Sequence, residues 1–251
     1  LNWMKFHYQP PEFRLFVDKY AVRAYVADRL GPEWLTPLIG VYEHPEEIPW
    51  NDLPPAFALK TNHGSATNIL CSDKSRLDRG LALRRLRRWL LRDFYWYGME
   101  WCYRNMPRRI LCEEFLRGHD GRPPWDYKVL CFGGEPRIVW VDADRFGRHR
   151  RAYFDPTWNR LPCGSSWFEA ANVDIPRPAV LDQLLAAART LAGHYPFMRV
   201  DFYVVSGRPL FGEITLFPGG GFEPFLPLAF DDEVGSWIPL PPIPVPARVQ
   251  A

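Results

Sequence analysis

The chain has 251 residues, 47% hydrophobic and 24% charged, the mix of an ordinary globular fold and not of a disordered or fibrous one. Lys+Arg 31 against Asp+Glu 29 leaves a net charge of +2, too balanced for a dedicated nucleic-acid binder. Lysine is scarce: it occurs only as Lys5, Lys19, Lys60, Lys74 and Lys128, against 26 arginines, so each lysine warrants inspection.

Phe13, Phe16, Val17, Tyr20, Tyr25, Val26 and Leu30 recur at three- and four-residue spacing and predict one helix over 13–30, ended by Gly31-Pro32. Phe57 to Lys60 reads as a strand, the polar run Thr61 to Thr67 as a loop, and Asn68 to Cys71 as a second strand. Leu83, Leu86, Leu90 and Phe94 predict a helix over 81–97, and Arg109 to Glu113 a short strand. Tyr127 to Phe132 and Arg137 to Val141 flank a Gly133-Gly134 turn. A helix follows over 180–191, and the hairpin Phe197 to Val205 and Pro209 to Leu216 turns at Ser206-Gly207. The proline-rich stretch from Pro239 to Pro246 is expected to run extended over the surface. Strands in antiparallel succession with interspersed helices indicate an α+β fold in two lobes, joined near 114–125.

The five cysteines form no CxxC and no even disulfide framework, so reduced thiols are expected. No apolar run reaches the ~18 residues of a membrane span, and the first residues lack a signal-peptide core. A cytoplasmic protein without a transmembrane segment is the resulting expectation.

Alternation on the last hairpin puts Arg199, Asp201 and Tyr203 on one face of the first strand, and Phe211, Glu213 and Thr215 on one face of the second. An odd-length loop, Val205-Ser206-Gly207, would pair residues of equal parity and gather Arg199, Asp201, Glu213 and Thr215 on one surface. A two-residue loop would scatter them. Two carboxylates beside a guanidinium suit a divalent cation and a phosphate, and equally describe a cross-strand ion pair. Lys60, at the end of an apolar strand and before His63-Gly64-Ser65, would place an ammonium and backbone amides at a polyphosphate, although the loop lacks the GxxxxGK[ST] pattern and also reads as a plain polar turn. Glu113-Glu114-Phe115-Leu116 is either a charged strand end or a hinge that holds a nucleoside. Lys128, on a strand otherwise apolar (Val129 to Phe132), requires an anionic partner. Gly219-Gly220-Gly221 is either an anion-binding loop or a flexible one.

Taken in order, these segments resemble the ATP-grasp superfamily, in its TupA-like, teichuronopeptide-biosynthesis branch. The resemblance is carried by Asp18 to Arg23, Leu38 to Tyr42, Phe57 to Ser65, Glu113 to Leu116, Asp126 to Lys128, Arg199 to Tyr203 and Phe211 to Thr215, spread over about residues 13 to 240. It implies an ATP-grasp fold with ATP between two lobes. Lys60, His63, Gly64, Ser65 and Lys128 would lie at the phosphates, Glu113, Glu114, Phe115 and Leu116 at the adenine and ribose, and Asp201, Glu213 and Thr215 at Mg²⁺. Arg199, with Lys128, would serve the transferring phosphoryl group. The common pattern ends Glu-x-Asn; here Thr215 replaces the asparagine.

The implied organisation is a reduced N-terminal segment (1–50), a small lobe (51–116) and a large lobe (117–251). The implied function is a carboxylate–amine ligase acting through an acyl-phosphate, associated with cell-surface polysaccharide or glycopeptide assembly. A kinase acting on a sugar hydroxyl and a non-catalytic nucleotide-binding module are the alternatives. The acceptor, a small molecule or glycan, would be held by the short N-terminal segment, by the Gly219 to Pro227 loop or by a partner protein.

Overall fold

The computed structural model describes residues 1–118, 123–143, 150–170 and 174–242. In chain order its elements are α1 (Asn2–His7), α2 (Phe13–Val17), α3 (Val22–Leu30), β1 (Leu38–Tyr42), β2 (Phe57–Thr61), β3 (Asn68–Cys71), α4 (Arg79–Leu90), α5 (Tyr95–Gly98) and β4 (Ile110–Glu114). Then come β5 (Asp126–Phe132), β6 (Glu135–Ala143), β7 (Arg150–Phe154), β8 (Gly164–Ser165), β9 (Glu169–Ala170), α6 (Leu181–Ala192), β10 (Phe197–Val205), β11 (Arg208–Thr215), β12 (Phe225–Leu226) and α7 (Leu228–Ser236). One sheet has the order β1-β4-β2-β3 and a larger one β11-β10-β5-β6-β7-β9.

Each sheet has its own core, which is why two lobes form. Phe57, Leu59, Ile69 and Cys112 of the small sheet pack on Ala82, Leu86 and Trp89 of α4, the apolar stripe of that helix. In the large sheet α6 lies across β10, β5 and β6, and its fully buried Leu181, Leu184 and Leu191 share a core with Val129, Val139, Met198 and Val200. The segment 1–50 is divided between the lobes. Met4, Phe13, Phe16, Val17, Val22 and Val26 enter the large core, whereas β1 forms an edge of the small sheet. The prolines from residue 243 and part of the expected junction lie outside the described residues. All five cysteines are free thiols, and among the described residues no helix is long and apolar enough to cross a membrane.

Two expected helices are shorter than their periodicity suggests, for local reasons. The helix expected over 13–30 breaks after Val17, because Asp18 Oδ1 accepts from the Tyr20 and Ala21 amides at 2.8 and 3.2 Å. The Lys19 amide leaves the helical ladder to bond the Asn62 carbonyl at 3.0 Å. The helix expected over 81–97 stops at Leu90, whose carbonyl accepts from Arg108 Nη1 at 2.7 Å. Asp93 then turns the chain by accepting from the Tyr95 amide at 3.1 Å.

The last hairpin corrects the turn and keeps the surface it was expected to build. Val205 pairs with Arg208, so the loop is the two-residue Ser206-Gly207, both at positive φ (50° and 76°). Left alone, that turn would scatter the polar set. A bulge intervenes: Phe202 pairs with Phe211 but Asp201 pairs with Glu213, leaving Gly212 as the extra residue. Beyond the bulge Arg199 faces Thr215, and Phe211, not Leu210, joins the apolar core. A side chain at 212 would begin 3.1 Å from the Asp201 carbonyl and 3.3 Å from the Tyr203 ring. Gly212→Val is therefore expected to cost about 1–3 kcal/mol by overpacking, read from the denaturant midpoint. An unchanged midpoint would mean that the bulge relaxes freely.

Candidate active site

Register brings the polar residues of four adjacent strands onto one face of the large sheet. Asp201 on β10 is opposite Lys128 on β5 and Glu213 on β11, and Asp126 on β5 is opposite Asp142 on β6. Lys128 Nζ lies 2.8 Å from Asp201 Oδ2, 3.5 Å from Asp126 Oδ2 and 3.8 Å from Asp142 Oδ2, so its burial is compensated as charge burial requires. Arg199 binds Asp201 through Nε and Nη2, both at 2.7 Å, and reaches Glu213 Oε1 at 3.3 Å and Thr215 Oγ1 at 2.9 Å. Burial opposes the Arg199 charge, but Asp201, Glu213 and Asp142 outweigh it and hold its pKa above the ordinary arginine value.

The small sheet closes the other side. Lys60 on β2 points at the same cleft, with its ammonium 2.6 Å from Glu113 Oε2, and Arg23 binds Glu113 Oε1 at 2.9 Å. Both oxygens of Glu113 are thus engaged, and its carboxylate orients Lys60. Glu114, exposed, and Phe115 and Leu116 line a pocket with Lys60, Leu70, Asp126 and Tyr203. That pocket runs on into a polar one bounded by Lys19, Lys60, Gly64, Ser65, Lys128, Asp201 and Glu213. A third chamber continues past Gly64, Ser65 and Glu213 to Arg199, Thr215, Glu100 and Tyr103.

The loop after Lys60 reaches this cleft through its backbone. Thr61 Oγ1 bonds Thr67 Oγ1 at 2.7 Å and pins the loop base. Gly64, at φ +90°, passes where any Cβ would meet the Phe94 ring at 2.8 Å. The His63 ring faces inward, its Nδ1 3.3 Å from Asn62 Oδ1 and its Nε2 3.3 Å from the Trp89 carbonyl. Burial lowers the His63 pKa, and the residue is absent from the linings of the three pockets. The structure therefore places Gly64 and Ser65 at the cleft and the His63 side chain behind it.

Several residues were not singled out from the sequence. Lys19 bonds Glu213 Oε2 at 3.2 Å and the Gly64 carbonyl at 2.7 Å, joining β11 of the large sheet to the loop after β2 of the small one. Asp142 accepts from Arg151 Nε at 2.8 Å and Trp140 Nε1 at 2.9 Å, and Arg151 also bonds Glu223 at 2.6 Å. The scarcity of lysine was a usable signal. Lys19, Lys60 and Lys128 line the cleft, and Lys5 bonds the Gly98 and Gly220 carbonyls that wall the third chamber. Asp142 gave no such signal, since one aspartate at a strand end is ordinary.

Asp201, Glu213 and Thr215 offer hard oxygen donors side by side, which fits Mg²⁺. Among the described residues no group of three His, Cys, Asp or Glu could enclose a cation. The fit is therefore to a cation that brings further oxygen ligands with it, as a polyphosphate would supply.

The family model described as TupA-like ATPgrasp matches residues 1–239. No curated protein sequence matches the chain. Among solved structures, an L-amino acid ligase from Bacillus licheniformis is 14% identical, with 84% of this chain and 45% of that one covered and a TM-score of 0.52. An ADP complex of N5-carboxyaminoimidazole ribonucleotide synthetase is 12% identical, covering 86% of this chain and 49% of its own, with a TM-score of 0.50. A D-alanine–D-alanine ligase from Bacillus anthracis complexed with ATP is 14% identical over 89% of this chain and 65% of its own, with a TM-score of 0.47. The chain spans less than half the length of the first two, and at such identities the likeness is one of fold.

Proposed function

Because the chain belongs to the TupA-like ATP-grasp family, we propose that it is an ATP- and Mg²⁺-dependent ligase that joins a carboxylate to an amine through an acyl-phosphate. Its architecture is the two-lobed α+β ATP-grasp fold that the motifs led one to expect. The observation that carries the proposal is the continuous cleft between the two sheets, with cations on both walls and the Asp201–Glu213 pair at its floor.

In this reading adenine enters the pocket of Leu70, Phe115, Leu116 and Tyr203, and Glu114 is the hinge carboxylate open to the ribose. Lys60, held by Glu113, and Lys128, held by Asp201, present ammonium groups to the phosphates. Asp201, Glu213 and Thr215 would hold Mg²⁺, which neutralises phosphate charge as the phosphoryl group transfers. Arg199 lies between the polar pocket and the third chamber, where its guanidinium stabilises the acyl-phosphate. In the described structure Lys19, Lys128 and Arg199 cover the two carboxylates. Nucleotide phosphates would draw those cations away and expose the oxygens to the metal.

Two measurements test this. Saturating ATP with Mg²⁺ at about a hundred times Kd is expected to stabilise the fold by about 2.7 kcal/mol, and Lys60→Ala is expected to remove most of that shift. Unchanged nucleotide affinity in Lys60→Ala would refute the Lys60 assignment. With γ-labelled ATP and panels of amino acids, sugar acids and glycans, label is expected as inorganic phosphate, one per amide formed. Label retained on a glycan hydroxyl would make the enzyme a kinase instead.

A further inference from the structure

The third chamber, about 290 Å³, opens from the metal end of the cleft. Its walls are Phe94, Tyr97, Tyr103, Phe217 and Phe222, the glycines Gly98, Gly219 and Gly220, and the charged Lys19, Glu213, Arg199 and Glu100. Arg199 and Glu213 are already accounted for by the phosphoryl chemistry; Glu100 is not. It lines the same chamber and is 6% exposed. Among the described residues its carboxylate makes no hydrogen bond and no ion pair. Gly98 is the reason it fits, because a Cβ there would lie 2.8 Å from Glu100 Oε1 and 3.4 Å from Gly220 Cα.

A carboxylate largely removed from water and without a protein partner is costly in its charged form, a cost that a cationic group entering the chamber would relieve. The surroundings leave it unpaired. Lys5, the buried cation of α1, gives its protons to the carbonyls of Gly98 at 2.8 Å and Gly220 at 2.5 Å and lies over the Phe222 ring at 4.5 Å. It pins the chamber wall without neutralising Glu100 by direct contact. Asn2 Nδ2 adds a bond to the Gly221 carbonyl at 2.9 Å. The chamber thus sets the unpaired Glu100 carboxylate among aromatic rings, a combination that favours a cationic group.

The geometry points to Glu100 as the general base for an amine acceptor, the ammonium of an amino acid or amino sugar bound in this chamber. The assignment rests on the ligase reading above. The carboxylate takes one proton from the acceptor ammonium, which leaves a lone pair on nitrogen. Nitrogen attacks the carbonyl carbon of the acyl-phosphate, the C–N bond forms, and the C–O bond to phosphate breaks with its electron pair on the leaving oxygen. The second N–H proton departs with the phosphate, and Glu100 returns its own proton to solvent.

Burial, only partly offset by the Lys5 and Arg199 charges, pushes the Glu100 pKa up to about 7, where a base for this transfer works best. Burial lowers the Lys5 pKa and raises those of Cys102 and Tyr103, while Arg199 stays charged.

The test uses the full chain with ADP and Mg²⁺, labelled with carbon-13 at the glutamate carboxyl carbons. A resonance missing from the Glu100→Gln protein is expected to titrate near pH 7. Excess methylammonium chloride, compared with equal sodium chloride, is expected to lower its midpoint. Titration in the ordinary carboxylate range, or indifference to methylammonium, overturns the proposal. In the ligation assay Glu100→Gln is expected to slow amide formation by about 10²–10⁴-fold. It should leave hydroxamate formation from hydroxylamine, which is already uncharged at neutral pH, near the wild-type rate. Equal loss of both products would make Glu100 a structural residue. If the wild type forms neither product, the ligase reading fails by itself, and the methylammonium titration still decides whether the chamber binds amines.

Discussion

Asp201→Asn is expected to destabilise the fold by about 3 kcal/mol, because it takes from two buried cations the carboxylate nearest to both. Lys128 and the fork of Arg199 both close on this one carboxylate, at 2.8 and 2.7 Å, and Asp201 itself is 2% exposed. Glu213→Gln should behave differently. Its side chain is 30% exposed, and its partners Lys19 and Arg199 stand at 3.2 and 3.3 Å, so the loss should stay near about 1 kcal/mol. Turnover should not follow that ranking. Both substitutions remove a charge from the proposed metal site, and each is expected to cost about 10²–10³-fold in ATP-dependent phosphate release. Denaturant unfolding and phosphate release, measured on the same two proteins, separate the readings. A Glu213→Gln protein with wild-type turnover would reduce the two carboxylates to cross-strand ion-pair partners of Arg199.

The unfolding free energy is expected to fall as pH rises from about 4.5 to 7, by up to about 3 kcal/mol from Glu100 alone. The sign follows from proton counts. Burial raises the folded pKa of Glu100 from 4.5 to about 7, so within that window the folded chain holds a proton that the unfolded chain has released. Stability attributable to this group is greatest below the unfolded pKa and is lost as the folded carboxyl ionises. Glu100→Gln should flatten this part of the profile and be more stable than wild type above pH 7, the pattern of a residue kept for activity at the expense of the fold. Urea unfolding of both proteins at a series of pH values checks it. A Glu100→Gln protein less stable than wild type above neutrality would mean that the carboxylate has a favourable partner.

Pattern alone carried the elements with strong periodicity. The helix at Leu181–Ala192, both central hairpins and the strands around Lys60 were legible, since alternation and the 3.6-residue period report directly which face is buried. So were Lys60, Lys128, the Arg199-Asp201 pair and Glu213, because charged residues on apolar strands are conspicuous whatever their surroundings. The sequence also fixes the cost of each choice in advance: a lysine among Val129, Leu130 and Cys131 must find an anion.

Which anion it finds was decided by tertiary structure. Lys128 meets Asp126 on its own strand, but Asp142 and Asp201 reach it from the two flanking strands, β6 and β10, by pairings that no stretch of sequence displays. The Gly212 bulge made a two-residue turn compatible with the gathered surface, although turn length by itself predicted the opposite. Lys19 entered the cleft because Asp18 accepts from the Tyr20 and Ala21 amides, a local contact that outcompeted an unbroken helical pattern. Glu100 is the extreme case. Its neighbours Lys5, Gly220 and Arg199 come from both ends of the chain, so no window of sequence contains the environment that makes an ordinary glutamate hold its proton near neutrality.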